Sequence, residues 1–202
     1  MGNLERKLSY RWWKYLLVII SSFLVWGIVF DMLASPEKNE KIKITYIGDH
    51  LSYEEMEEEL FRILPNVTEQ KIKYIDAENP VNGQSLDYHT VLSTRVYGAD
   101  FIIIEESSLE EKVGQTYFKE IATDKLKQHI GDVEFYCEDG VPYGILIYDG
   151  TKENHFSEFY SGTEKCYLFI THTSVNFADV VEKGNVTDDA ALRIFEYLME
   201  ES

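Results

Sequence analysis

Basic residues are scarce in this chain: 19 Lys and Arg stand against 36 Asp and Glu, for a net charge of −17. A surface this acidic repels a phosphate backbone, which excludes nucleic-acid binding by a basic face. Two cysteines and four prolines among 202 residues exclude a disulfide-rich scaffold, and 12 glycines exclude a collagen-like chain. All three tryptophans fall within the first 26 residues, so the remainder has none. No G-x-S-x-G elbow, P-loop or G-x-G-x-x-G run occurs, the five histidines lack metal-binding spacing, and the cysteines do not form a C-x-x-C pair. These absences predict a non-enzymatic protein without a resident metal or cofactor.

What is present begins with an apolar run. Residues 15–30 read YLLVIISSFLVWGIVF, sixteen positions without a charge. That run predicts a transmembrane helix over 15–34, with Trp12, Trp13 and Tyr15 at headgroup level. Arg6, Lys7, Arg11 and Lys14 stand against Glu5 alone, so residues 1–14 are expected to remain in the cytoplasm. Residues 35–41 then form a short polar tether, and 42–202 an extracytoplasmic domain. The first 14 residues carry +3 and Asp31 carries −1, which leaves −19 on the rest of the chain. No small-x-small cleavage site and no lipidatable Cys follows the apolar run. The expectation is therefore a single-pass cell-membrane protein held by its own helix.

Beyond the tether, short apolar runs alternate with amphipathic patterns. Strands are predicted over 42–47 (IKITYI), 72–75 (IKYI), 100–105 (DFIIIE), 133–137, 142–148 (PYGILIY) and 167–171 (YLFIT). A capping box at Ser52 and Glu55 opens a helix that Pro65 should end. A second helix is expected over 86–97. A third, capped by Ser107 with Glu110, should run to Ile121, and a shorter one over 124–130. The residues Glu138, Asp139 and Gly140 predict a hairpin turn. Residues 149–165 form a long polar loop, and Thr187 caps a closing helix. The pattern predicts an α/β fold of three layers around a mainly parallel sheet.

The phrases ITYIGDHLSYEEMEEELFRILP, KIKYIDA, YGADFIIIEESSLE, VPYGILIYD and TDDAALRIFEYLME resemble elements of the extracellular solute-binding proteins of bacterial ABC importers, which have the type II periplasmic-binding fold. The resemblance implies one periplasmic-binding-protein-like lobe without a full second lobe. It also implies an accessory role beside an ABC transporter or sensor subunit, with a partner protein or small ligand as the thing recognised. Oligomeric state is not indicated.

In an open parallel sheet, ligands settle beyond the carboxyl ends of the strands. Those ends are expected to carry Asp49 and His50, Asp76, and Glu105, Glu106 and Ser107, an acidic crevice with one imidazole. The crevice suits a cationic or polyhydroxylated ligand, or a divalent ion such as Ca2+. Another class of function, a surface hydrolase, would use Asp49, His50 and Glu106; a third is a purely structural envelope protein. Tyr148, Phe156, Phe159 and Tyr160 cluster around the long loop as a candidate partner surface. Cys137 and Cys166 both fall on predicted strands and are a candidate disulfide, with two free thiols as the alternative.

Overall fold

The computed structural model describes residues 2–34, 41–67, 74–79, 88–121, 126–127, 131, 133–151, 153–174 and 190–201. Residues 35–40 of the expected tether, the start of the second strand (72–73), most of the short helix expected over 124–130, and Thr187 lie outside the described residues, and Lys41, expected to end the tether, opens a strand instead. The chain divides into two compact units, Met1–Pro36 and Glu37–Ser202.

The first unit is one helix, α1, Gly2–Ala34. Its window Trp12–Phe30 is long and apolar enough to cross a membrane, and none of that window is buried within the protein. Among the described residues it is the one helix with this property, which signal sequences share.

The second unit is built on six strands: β1 Lys41–Ile47, β2 Tyr74–Glu78, β3 Phe101–Glu105, β4 Phe135–Glu138, β5 Val141–Tyr148 and β6 Cys166–Ile170. They form one sheet in the order β2-β1-β3-β6-β5-β4. β1 pairs in parallel with both β2 and β3, whereas the β3–β6, β6–β5 and β5–β4 pairings are antiparallel. The sheet is therefore mixed, not mainly parallel. The reason lies in the connections: β4 and β5 are joined by the two-residue turn Asp139-Gly140, both at positive φ (51° and 82°), the geometry that returns a strand antiparallel to itself.

Helices cover both faces. α2 (Tyr53–Val67), α5 (His155–Phe159) and α6 (Ala190–Met199) supply Met56, Leu60, Phe156, Phe195 and Leu198 to one apolar cluster with Ile42, Ile44, Phe101, Ile103 and Leu168 of the sheet. α3 (Tyr88–Arg95) and α4 (Val113–Tyr117) lie in the other, where Leu92 and Val113 join Ile47, Ile102, Ile104 and Phe169. β3 lies between the two clusters, and every one of its residues is buried, as its unbroken FIII run requires.

Several local expectations are corrected. α2 continues to Val67, two residues past Pro65, because proline in a last turn forfeits only one hydrogen bond. Ser107 caps no helix. Residues Glu106–Ser108 form a single 3-10 turn, and α4 starts only after Lys112. The cap of α4 comes from across the fold instead, where Glu138 of β4 accepts from the backbone N–H of Gly114 (2.8 Å) and Gln115 (3.0 Å). The supposed loop 149–165 contains α5, capped by Asn154: its side chain accepts from Ser157 N, and the Ser157 hydroxyl accepts from Asn154 N.

Candidate functional site

β1 has β2 on one side and β3 on the other, and the helices that follow β1 and β2 lie on opposite faces of the sheet. The carboxyl ends of β1 and β3 thus flank a switch point, where an open α/β sheet leaves a crevice. Ile47 pairs with Ile104 there, which sets Gly48–His50 beside Glu105.

Glu105 is the centre of this end. Its side chain is 4% exposed, and its Oε1 accepts from the Tyr46 hydroxyl and lies 3.0 Å from His50 Nδ1, whose ring is 47% exposed. The Tyr46 hydroxyl in turn accepts from the backbone N–H of His50 at 3.1 Å. A Cβ on Gly48 would stand 2.5 Å from Glu105 Cδ, so only glycine lets the backbone cross the carboxylate this closely. Asn79, just past β2, donates to the Gly48 carbonyl at 2.8 Å and steadies the same turn.

The opposite wall is the segment between α5 and β6. Ser161 N–H (3.0 Å) and its hydroxyl (3.1 Å) both donate to the His50 carbonyl, and Ser52 N–H donates to the Phe159 carbonyl at 2.8 Å. The Tyr160 ring meets His50 edge-on at 6.1 Å. Its hydroxyl is buried with no hydrogen-bond partner among the described residues.

Ionisation follows from these contacts. The hydrogen bond His50 donates to Glu105, and then the charge of that carboxylate, raise the His50 pKa above its ordinary 6.5, with Asp49 and Glu164 adding to the rise. Burial, followed by the Glu105 hydrogen bond, raises the Tyr46 phenol, and burial followed by the charge of Cys166 raises Tyr160. Burial pushes the Cys166 thiol up to about 12, which makes it a poor nucleophile. Ser107 donates its backbone N–H to Glu164 (3.1 Å), and the hydrogen bond from the Ser107 side chain, followed by this backbone bond, holds the Glu164 carboxyl below its usual range. With Nδ1 committed to Glu105, Nε2 is the ring nitrogen left to meet a ligand.

The predicted site residues divide accordingly. His50 and Glu105 come together, with exposed Asp49, Glu106 and Ser107 on the turns around them. Asp76 is not at a strand end. It sits in mid-strand opposite Lys43, where it is paired with Lys41 Nζ at 3.1 Å. Tyr46, Asn79, Tyr160 and Glu164 join the cluster without having been expected there. Tyr46 had one readable signal, since a phenol in a strand of the core must find a partner for its hydroxyl. Phe156, Phe159 and Tyr160 are buried in the core rather than displayed as a contact surface, and half-buried Tyr148 packs on them, 5.2 Å from Tyr160 between ring centroids.

No disulfide joins the cysteines: Cys137 is exposed and Cys166 buried, both free. Their β5 neighbours, Pro142 and Tyr148, are six residues apart, about 20 Å along a strand, far beyond the reach of a disulfide. Among the described residues no group of three or more His, Cys, Asp or Glu is arranged to hold a metal ion.

A cavity of about 110 Å³ opens at the other end of the sheet, lined in part by Lys41, Lys43, Tyr97 and Asp100. Its charges are already paired: Lys43 with Glu78 at 3.0 Å, Lys41 with Asp76, and Asp100 with Lys43 N–H and the Ser174 hydroxyl, each at 2.9 Å.

The chain matches no family model, no curated protein and no solved structure.

Proposed function

We propose that this protein is a membrane-anchored, extracytoplasmic recognition module, resembling one lobe of a solute-binding protein, that engages a small ligand or partner protein beside a transporter or sensor. The observation that carries the reading is helix α1, whose Trp12–Phe30 window is apolar and has no buried residue. A 19-residue window of that kind matches a hydrocarbon core of about 30 Å. Support for recognition comes from the β1–β3 switch point, where half-exposed His50 is held by buried Glu105 beneath exposed Asp49 and Glu106. Groups so arranged suit a ligand that brings positive charge or hydroxyls.

The test is made on full-length protein in its native membrane. Resistance to alkaline extraction, cleavage of the α/β unit by protease added to intact cells, and crosslinked recovery of transporter or sensor subunits are expected. Release by alkali, or protection of the domain on intact cells, would overturn the reading.

One observation favours a second reading, a surface hydrolase. A carboxylate fixing one imidazole nitrogen is the arrangement that prepares the other to act as a general base, and here Glu105, not Glu106, is that carboxylate. Turnover of an ester, amide or glycoside that is lost on His50→Ala, with the fold intact, would establish it.

A further inference from the structure

Helix α1 is longer than a bilayer requires. Its 33 residues span about 50 Å at about 1.5 Å each, whereas the apolar window starts only at Trp12. The helix thus continues unbroken through Gly2–Arg11 on the amino side of that window. This extension, with Lys14, contains Arg6, Lys7, Arg11 and Lys14 against the single acid Glu5. Positions 7, 11 and 14 are spaced i, i+4, i+7, so they fall on one stripe of a 3.6-residue helix, and positions 4, 8, 12 and 15 (Leu, Leu, Trp, Tyr) fall on the stripe beside it. Trp12 and Trp13 mark the boundary, half or more exposed, with ring centroids 5.1 Å apart. The opposite end of the helix differs: its last turn has no basic residue and Asp31 lies there.

We infer that the amino-terminal extension of α1 is a binding surface for anionic phospholipid headgroups in the leaflet on its own side. The inference rests on the membrane-anchored reading above. Lys7, Arg11 and Lys14 would meet headgroup phosphates and carboxylates, while Trp12 and Trp13 take the acyl boundary below them. A free phosphate ion has no counterpart to this second, apolar layer, so the partner is a lipid in its bilayer. Basic residues at one end of the helix only make the preference one-sided.

Because every tryptophan of the protein lies in this helix, tryptophan emission, excited selectively over tyrosine, reads the helix alone. Full-length protein carrying Trp26→Phe would be reconstituted into phosphatidylcholine vesicles with about one part in five phosphatidylserine, the bromine label placed on the acyl chains of one lipid or the other. Expected is quenching of Trp12 and Trp13 by brominated phosphatidylserine several-fold above its bulk fraction, weakened by salt. It should fall to the bulk fraction in the triple variant Lys7→Gln, Arg11→Gln, Lys14→Gln. Quenching in proportion to bulk composition in the unsubstituted extension, or enrichment that survives the triple substitution, overturns the inference while leaving anchorage intact. Anchorage is read separately from Trp26 in a Trp12→Phe, Trp13→Phe variant, in vesicles of brominated phosphatidylcholine alone. Absence of quenching there would overturn both.

Discussion

His50 Nδ1 lies 3.0 Å from Glu105 Oε1, so a half-exposed imidazole at the end of β1 is tied to a buried carboxylate at the end of β3. The tie raises the folded-state pKa of His50 above its ordinary 6.5. Below that ordinary value both folded and unfolded chains are protonated, and the stabilisation is fully present. It is lost as pH rises from 6.5 through the raised folded value, where the folded chain gives up a proton that the unfolded chain has already released. Denaturant midpoints measured from mildly acidic to mildly alkaline pH should decline across that window, and Glu105→Gln should flatten the decline. A slope unchanged by Glu105→Gln would show that His50 does not report on this contact.

The two thiols should behave differently. Exposed Cys137 is expected to react with a maleimide in the native protein, whereas Cys166, buried and with its pKa pushed up to about 12, should react only after unfolding. Mass spectrometry should count one label before denaturant and two after it, with no reductant needed. Failure to label either without reductant would indicate a disulfide.

Asn154 is buried, and its side chain works in two directions: it accepts from Ser157 N–H at the start of α5 and donates to the Ile147 carbonyl of β5 at 2.8 Å. Asn154→Ala should cost about 1–3 kcal/mol in a chemical denaturation experiment, since a helix cap and a buried carbonyl lose their partner together. Ser157→Ala, which removes only the reciprocal bond, should cost less.

Gly150 holds a φ of +91°, and a Cβ there would stand 2.6 Å from the Thr163 carbonyl oxygen. Both the backbone conformation and the fixed neighbour oppose a side chain. Gly150→Ala should destabilise by about 1–3 kcal/mol. Gly131 also has positive φ but open space around the same atom, so Gly131→Ala separates the two effects and should cost less.

Elements whose information is local were legible in the sequence. The FIII run marked β3 as the buried strand, the Asp139-Gly140 pair specified its hairpin, and the end of β1 put His50 near Glu105. What was not legible depends on distant partners. Ser107 looks like a helix cap, yet its backbone N–H goes to Glu164, while α4 is capped by Glu138 from a neighbouring strand. Asp76 looks like a turn residue until β2 is paired with β1, which brings it to Lys41 and Lys43. The aromatic residues of the segment 149–165 looked surface-bound because the polar residues between them conceal the one-turn rhythm of α5, which places Phe156 and Phe159 inward. Sheet direction was misjudged for a similar reason: strand sequence alone does not say that β6 is inserted between β3 and β5.

That insertion orders events in time. A chain that emerges amino end first completes β1, β2 and β3 while the far edge of β3 still has no partner, because β6 lies about sixty residues further on. The β4–β5 hairpin closes by itself on the order of microseconds, but no strand pairing joins it to the parallel half until β6 pairs with both. During synthesis the most apolar strand of the protein therefore presents an open backbone edge, the kind of surface that invites a second chain. Until β6 arrives two half-sheets wait for one strand, and pairing of the open β3 edge with another chain competes with folding.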